Sequence, residues 1–351
     1  MTTKKMNTAR QLYTGIIQRR VRLVTILSVA LLLLFIIDVC TGPAWLSPAS
    51  VFSALFTPCD VDPKTYTIVC VIRTPIALMA LVVGASLGAA GAELQTILGN
   101  PLASPYTLGI SSAASFGAAL AIVLGRSIIP VSEIYLVPVN AFIFAMLSSL
   151  LIYALVKAKY GGSQTIVLAG VVFSFLFNSL VSLLEYVAKE NEFEAIVFWM
   201  FGSLQNATWA KVGVVAALFA LTLPFLIRDA WKLTALKLGD SKARSMGVNT
   251  ERLGLKVILL VSVMTAISVS FVGTIGFIGL VAPHVARSFA GEDQRFFLPS
   301  SALAGAVMLS FASIVSKMIL PGAIFPVGIT TSFIGVPFLL FIILRQKRTY
   351  I

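Results

Sequence analysis

The sequence is short of charge. Asp, Glu, Lys and Arg make up 11% of its 351 residues, against about 25% in ordinary soluble domains. A soluble chain of this size cannot cover its apolar surface with so few charges. A soluble enzyme, a disordered chain and a nucleic-acid-binding domain are therefore excluded. Histidine is nearly absent: His284 stands alone, which rules out a His-Glu-x-x-His metalloprotease site. Cysteine is scarce. Cys40, Cys59 and Cys70 are too few and too scattered for a metal site, and whether Cys40 and Cys59 pair is left open, because spacing does not give connectivity. No Gly-x-x-x-x-Gly-Lys-Ser/Thr string and no Gly-x-Ser-x-Gly elbow occurs, so neither nucleotide hydrolysis nor a serine nucleophile is expected of this chain.

What is present is apolar. Hydrophobic residues are 58% of the chain and the mean hydropathy is +0.97. The runs are long and lack the period-two alternation of a membrane β-barrel. Ten runs approach the roughly 20 residues that a helix needs to cross a bilayer. They lie at about 21–39, 68–92, 106–125, 134–156, 164–187, 209–227, 255–273, 275–290, 298–320 and 328–344. The run at 275–290 is the weakest, being short and holding Pro283 and His284. The first run has no small-x-small cleavage site after it and reads as a span, not a signal peptide.

The net charge of +12 is distributed, not concentrated. With the N-terminus inside, 20 of the 26 Lys and Arg residues fall on the inner side and six on the outer. This is the asymmetry of a chain with both ends in the cytoplasm. The predicted class is an all-α polytopic membrane protein of about ten spans. Its parts are a basic inner segment at 1–20, one transmembrane domain at 21–345 and a cytoplasmic tail at 346–351.

The inner stretch 228–256 is the longest polar loop after the N-terminus. Asp240 is placed to cap a short helix that Gly247 ends, with Gly239 breaking it from the turn before. Two short helices at the inner surface are expected. A plain basic loop held by lipid head groups is the alternative. Gly84 and Gly88, with Gly91 further along, bring helix backbones close in lipid. Gly273, Gly276 and Gly279 mark either close packing or a break between spans. An ion-coupled transporter needs an acid at mid-membrane. Glu93 is the one candidate, and it sits near the inner end of the second run.

Five strings then occur in order. They are Gly99-Asn100-Pro101-Leu102-Ala103, Phe198-Trp199-Met200-Phe201-Gly202-Ser203-Leu204, and Leu238-Gly239-Asp240 through Gly247-Val248. Gly276-Phe277-Ile278-Gly279 through Pro283-His284 to Arg287 follows, then Pro326-Val327-Gly328 with Gly335-Val336-Pro337. Over about residues 20 to 345 the chain resembles the FecCD family. These are the permease subunits of ABC importers for iron-siderophores, haem and cobalamin.

The resemblance implies a cobalamin-importer-permease-like fold in the bacterial cytoplasmic (inner) membrane. It implies two cytosolic ATPase subunits carrying ATP and Mg, and a second permease chain, the same or similar. It also implies a periplasmic or lipid-anchored substrate-binding protein, with no cofactor in this chain. Leu238, Gly239, Asp240, Ala243, Arg244, Met246 and Gly247 would seat in the ATPase. Arg73 and Lys317 match basic positions that pair with glutamates of the binding protein, although Lys317 stands where arginine is usual and so loses its bidentate fork. Asn100 and Pro101 would form a structural turn. His284 and Arg287 would be structural. The substrate pathway is expected along 84–95, 170–178 and 273–280, with Gly84, Gly88, Gly91, Gly170, Ser174, Gly273 and Gly276 as its small residues. A ferric siderophore is the leading cargo and haem or cobalamin the alternative. A secondary transporter working through Glu93 is the competitor from another class.

Overall fold

The computed structural model describes residues 2–57, 61–159, 163–319 and 325–345. Cys59, and with it any pairing to Cys40, lies outside them. The described residues form helices and connecting turns. In chain order these are α1 (Thr2–Cys40), α2 (Pro48–Phe56), α3 (Pro63–Tyr66), α4 (Thr74–Ile97), α5 (Ile110–Leu124), α6 (Glu133–Lys159), α7 (Ser163–Val187), α8 (Glu190–Met200), α9 (Trp209–Arg228), α10 (Ala230–Leu236), α11 (Asp240–Ser245), α12 (Thr250–Val272), α13 (Ile278–Ala290), α14 (Gln294–Met318) and α15 (Val327–Arg345). Every apolar run read from the sequence falls on one of them. Among the described residues, seven helical stretches are long and apolar enough to cross a membrane, and α5 and α15 supply shorter apolar helices. At 13 residues α13 is shorter still, reaching only about 20 Å at 1.5 Å per residue.

Small residues decide how the centre packs. α4 is buried on nearly every face and lies against α12, α13 and α14. A Cβ on Gly84 would strike the Gly305 carbonyl, one on Gly88 the Ser301 carbonyl and one on Gly91 the Gly279 carbonyl. Backbones can approach this closely only where side chains are missing. Serines in these helices satisfy themselves inside the apolar core. Ser268, Ser270 and Ser301 each donate to the carbonyl four residues back, and Ser86 donates across to Met264 O at 3.1 Å.

The helix ends follow from local chemistry. Thr208, Asn249 and Asp293 cap α9, α12 and α14 by accepting from the backbone two or three residues on. Pro75 cannot donate to the turn before it, and the chain widens into a π-helical stretch at Thr67–Arg73 just ahead of it.

Two features were not legible in the hydropathy pattern. α8 lies in what reads as a polar outer loop, and α2 folds within the Pro- and Ser-rich stretch 41–66. The two short inner helices, α10 and α11, are present.

Candidate functional site

A half-open cavity of about 500 Å³ lies where irregular backbone meets α15. One wall is the turn after α4, through Ser104, Tyr106 and Thr107. A second comes from Met200 and Phe201 at the end of α8. A third is the break between α12 and α13, with Thr274, Gly276, Phe277 and Leu280. The fourth is one face of α15, with Gly328, Ile329, Ser332 and Leu339. Among the described residues, none that lines it carries a charge. Non-helical backbone at membrane depth is tolerated where it lines such a space or is buried in protein.

The walls are pinned to one another. Thr274 Oγ1 donates to Met200 O, and Ser203 N–H donates to Val272 O at 2.8 Å. Gly273 (φ +74°) and Gly202 (φ +71°) let these two segments touch, since a Cβ at Gly273 would strike Trp199 O. Gly328 at the start of α15 rests on the carbonyls of Phe201 and Thr274.

The pathway residues expected from sequence divide sharply. Gly276 lines the cavity. Gly84, Gly88 and Gly91 do not; they are spent on backbone contact with α14 and α13. Gly170 packs on Thr107 and Leu108, and Ser174 Oγ donates to Gly170 O at 2.8 Å beside it. Gly273 supports the wall without lining it. Asn100 and Pro101 shape the turn as expected: Asn100 Oδ1 accepts from Leu102 N–H at 2.9 Å, and its carbonyl accepts from Ala103. The same turn delivers Ser104, Tyr106 and Thr107 to the cavity, a role that its sequence does not announce.

Arg73 and Lys317 require a correction. Neither side chain is available to an outside partner. Arg73 is buried, and its guanidinium donates to Val39 O, Cys40 O and Ala44 O, closing the end of α1. Lys317 is buried against Asp38, with 2.9 Å between Nζ and Oδ1. A lysine or arginine this deep in an apolar region needs its partners inside the chain.

On the inner side, α10 and α11 form a braced unit. Asp229 accepts from Lys232 at 2.7 Å and from Lys256 at 2.5 Å. Burial pushes the Asp229 carboxyl up, but these two hydrogen-bonded cations outweigh it and hold the group below the usual carboxylate range. Lys237 pairs with Glu292 at 3.4 Å, and burial pulls its ammonium below the ordinary lysine value. Leu238 and Met246 project outward, while Ala243 is fully buried.

Asp240 does not cap α11. Gly239 (φ +102°) occupies the cap position, and Asp240 instead pairs with Arg244 at 2.9 Å. Asp240 is already the first residue inside the helix, one position past the cap from which a side chain reaches the first-turn amides. Gly247 (φ +83°) closes the helix: its N–H donates to Arg244 O, and that of Val248 to Ala243 O, the paired bonds of a Schellman stop.

His284 stacks edge-on to Phe338, and Arg287 donates to Gln95 Oε1 at 3.0 Å. Both residues tie α13 to neighbouring helices. Glu93 is fully buried on α4, and neither carboxyl oxygen has a hydrogen-bond partner.

Comparison with known proteins agrees with this geometry. The chain is 33% identical to the Fe(3+)-citrate import system permease protein YfmE of Bacillus subtilis, covering 93% of this chain and 95% of that one. It is 36% identical to the hemin transport system permease protein HmuU of Yersinia pestis, over 79% of this chain and 83% of the relative. A solved structure presented as an inward-facing conformation of a metal-chelate type ABC transporter superposes with a TM-score of 0.82 and 29% identity, over 93% of this chain and 99% of the other. The model of the FecCD transport family matches residues 30–345. The chain is thus a multi-pass membrane permease of the ABC-importer type and belongs to the FecCD transport family.

Proposed function

We propose that this permease carries a ferric siderophore inward across a bacterial cytoplasmic membrane. The observation that supports the reading best is the cavity. Its volume, about 500 Å³, is of the size that takes a bulky small molecule. Its uncharged lining, with hydroxyls from Ser104, Thr107, Thr274 and Ser332, suits a chelate that has already neutralised its metal. A charged wall would hold such a cargo too tightly to release it.

The work comes from outside the chain. ATP and Mg are held by two cytosolic ATPase subunits that grip the outward faces of Leu238 and Met246 on the α10–α11 unit. A second permease chain, the same or similar, completes the pathway. A periplasmic or lipid-anchored binding protein delivers the cargo to the outer side. The braced inner helices transmit a rigid-body displacement that a loose loop would absorb. Because Arg73 and Lys317 are internally paired, the binding protein must be recognised by other outer residues.

The test is uptake by the complete complex in vesicles. Radiolabelled iron is offered as a hydroxamate siderophore, with hemin and cobalamin in parallel. ATP-dependent siderophore uptake that survives collapse of the ion gradient supports the reading. Preference for hemin or cobalamin overturns the cargo. Uptake that stops with the gradient and ignores ATP overturns the class and returns attention to Glu93.

A further inference from the structure

The break between α12 and α13 holds one unusual residue. Phe277 has φ +66°, and it is the one non-glycine with positive φ among the described residues. With ψ at −33° and Ile278 N–H donating to Gly276 O at 2.8 Å, it is the central residue of a γ-turn of the strained hand. A bulky aromatic in this region is a genuine outlier. Glycine would sit there without cost, and glycines stand close by at 273, 276 and 279. The strained position is nonetheless given to a phenylalanine. Gly276 next to it has ordinary backbone and open space around it. Strain of this sort persists where the side chain it presents has work to do.

The ring has a fitted seat. A Cβ on Gly335 would overlap the Phe277 ring. Gly335 lies on the face of α15 that also carries Gly328, Ser332 and Leu339, and these three line the cavity together with Phe277. The ring is thus at the cavity wall, pressed into a notch on α15. Its carbonyl meanwhile accepts from Leu280 and Val281 and starts α13.

We propose that Phe277 is the movable gate of this cavity. The ring is parked in the Gly335 notch while α15 is seated. When α15 shifts, the γ-turn relaxes toward negative φ and the ring swings into the lumen. The backbone strain biases the residue toward leaving its seat, and the notch holds it there. The proposal rests on the reading of the cavity as the transport pathway.

The experiment uses the permease assembled with its ATPases in vesicles, with two readouts. One is release of trapped carboxyfluorescein, which does not depend on the cargo. The other is ATP-driven uptake of a ferric hydroxamate. Phe277→Ala should raise dye release about tenfold, a change of about 1.4 kcal/mol in gate closure, because no ring remains to enter the lumen. Gly335→Ala should fill the notch, expel the ring and cut uptake by a similar factor. Combining the two should bring uptake back to that of Phe277→Ala alone, because no ring remains to expel. If Gly335→Ala lowers uptake equally with and without the ring, the notch is packing and the gate fails. Dye release unchanged in Phe277→Ala overturns it as well. Should Gly335→Ala fail to fold, Phe277→Gly decides the matter, since it removes ring and strain together: tight vesicles would refute the gate. An unmodified complex that takes up no ferric chelate removes the cargo reading, while dye release still judges Phe277. Chelate uptake with no coupling between positions 277 and 335 removes the gate alone.

Discussion

Lys317 on α14 and Asp38 on α1 form an ion pair at 2.9 Å with neither side chain in reach of solvent. Ser313 donates to both oxygens of the same carboxylate, at 2.9 and 3.1 Å. At the other end of α14, its cap residue Asp293 pairs at 3.0 Å with Arg20, which lies midway along α1. α14 is therefore riveted to α1 near both of its own ends.

Lys317→Met should destabilise the protein by about 3–5 kcal/mol, because it strands the Asp38 charge. Asp38→Asn combined with Lys317→Met should recover most of that loss. The check is a double-mutant cycle on thermal unfolding in detergent. A double variant as unstable as the sum of the singles would refute pairing as the cause.

Arg73 should behave as an internal clamp. Arg73→Met leaves two carbonyls at the end of α1 and that of Ala44 in the loop beyond without their donor, at a cost of roughly 1.5–3 kcal/mol for a charged hydrogen-bonding group. Stability should fall while the affinity of the folded complex for its binding protein stays unchanged. A binding titration on the surviving folded fraction separates the two effects.

Gly247 should accept asparagine and resist valine. Its surroundings are open, so the penalty comes from φ +83° alone, which asparagine tolerates and a β-branched residue does not. Gly247→Val should loosen α11 and reduce ATPase co-purification, and Gly247→Asn should preserve it. Equal recovery of the ATPase with both would show that the Schellman stop is not needed for seating.

Asp229 should confer acid sensitivity. Its folded carboxyl lies below the ordinary value, so its contribution is fully present above the unfolded pKa of about 3.9 and is lost as pH falls through the lower folded value. The melting temperature of the native protein should drop in that window. Asp229→Asn should be less stable at neutral pH and flatter with pH below about 4.

Much of this is legible in the sequence, and the limits have physical reasons. Span positions follow from hydropathy because lipid demands apolar length, and so every run met a helix. α11 was visible because Gly247 can end a helix where other residues strain. The glycines at 84, 88 and 91 and at 276 look alike in sequence, yet the first three contact backbone and the last lines the cavity. Which glycine does which depends on the neighbouring helix. Arg73 and Lys317 look like outer-surface charges because their partners are remote: two carbonyls at the end of α1, and an aspartate 279 positions away. The strain at Phe277 has no signature in residue type at all, since pattern reasoning places left-handed backbone at the glycines beside it.

The seam between α4 and α14 carries a consequence for mutational scanning. Gly84 and Gly305 each face the other's carbonyl, and Gly88 faces Ser301. An added methyl on either helix meets backbone, which cannot rotate aside as a side chain can. A saturation library should therefore show paired vacancies at these positions, where even alanine is purged. Phe175 and Leu340, which point away from the chain's interior, should accept almost any apolar residue. The tolerance map of this membrane protein would then invert the habit of soluble ones: its least replaceable residues are those with no side chain.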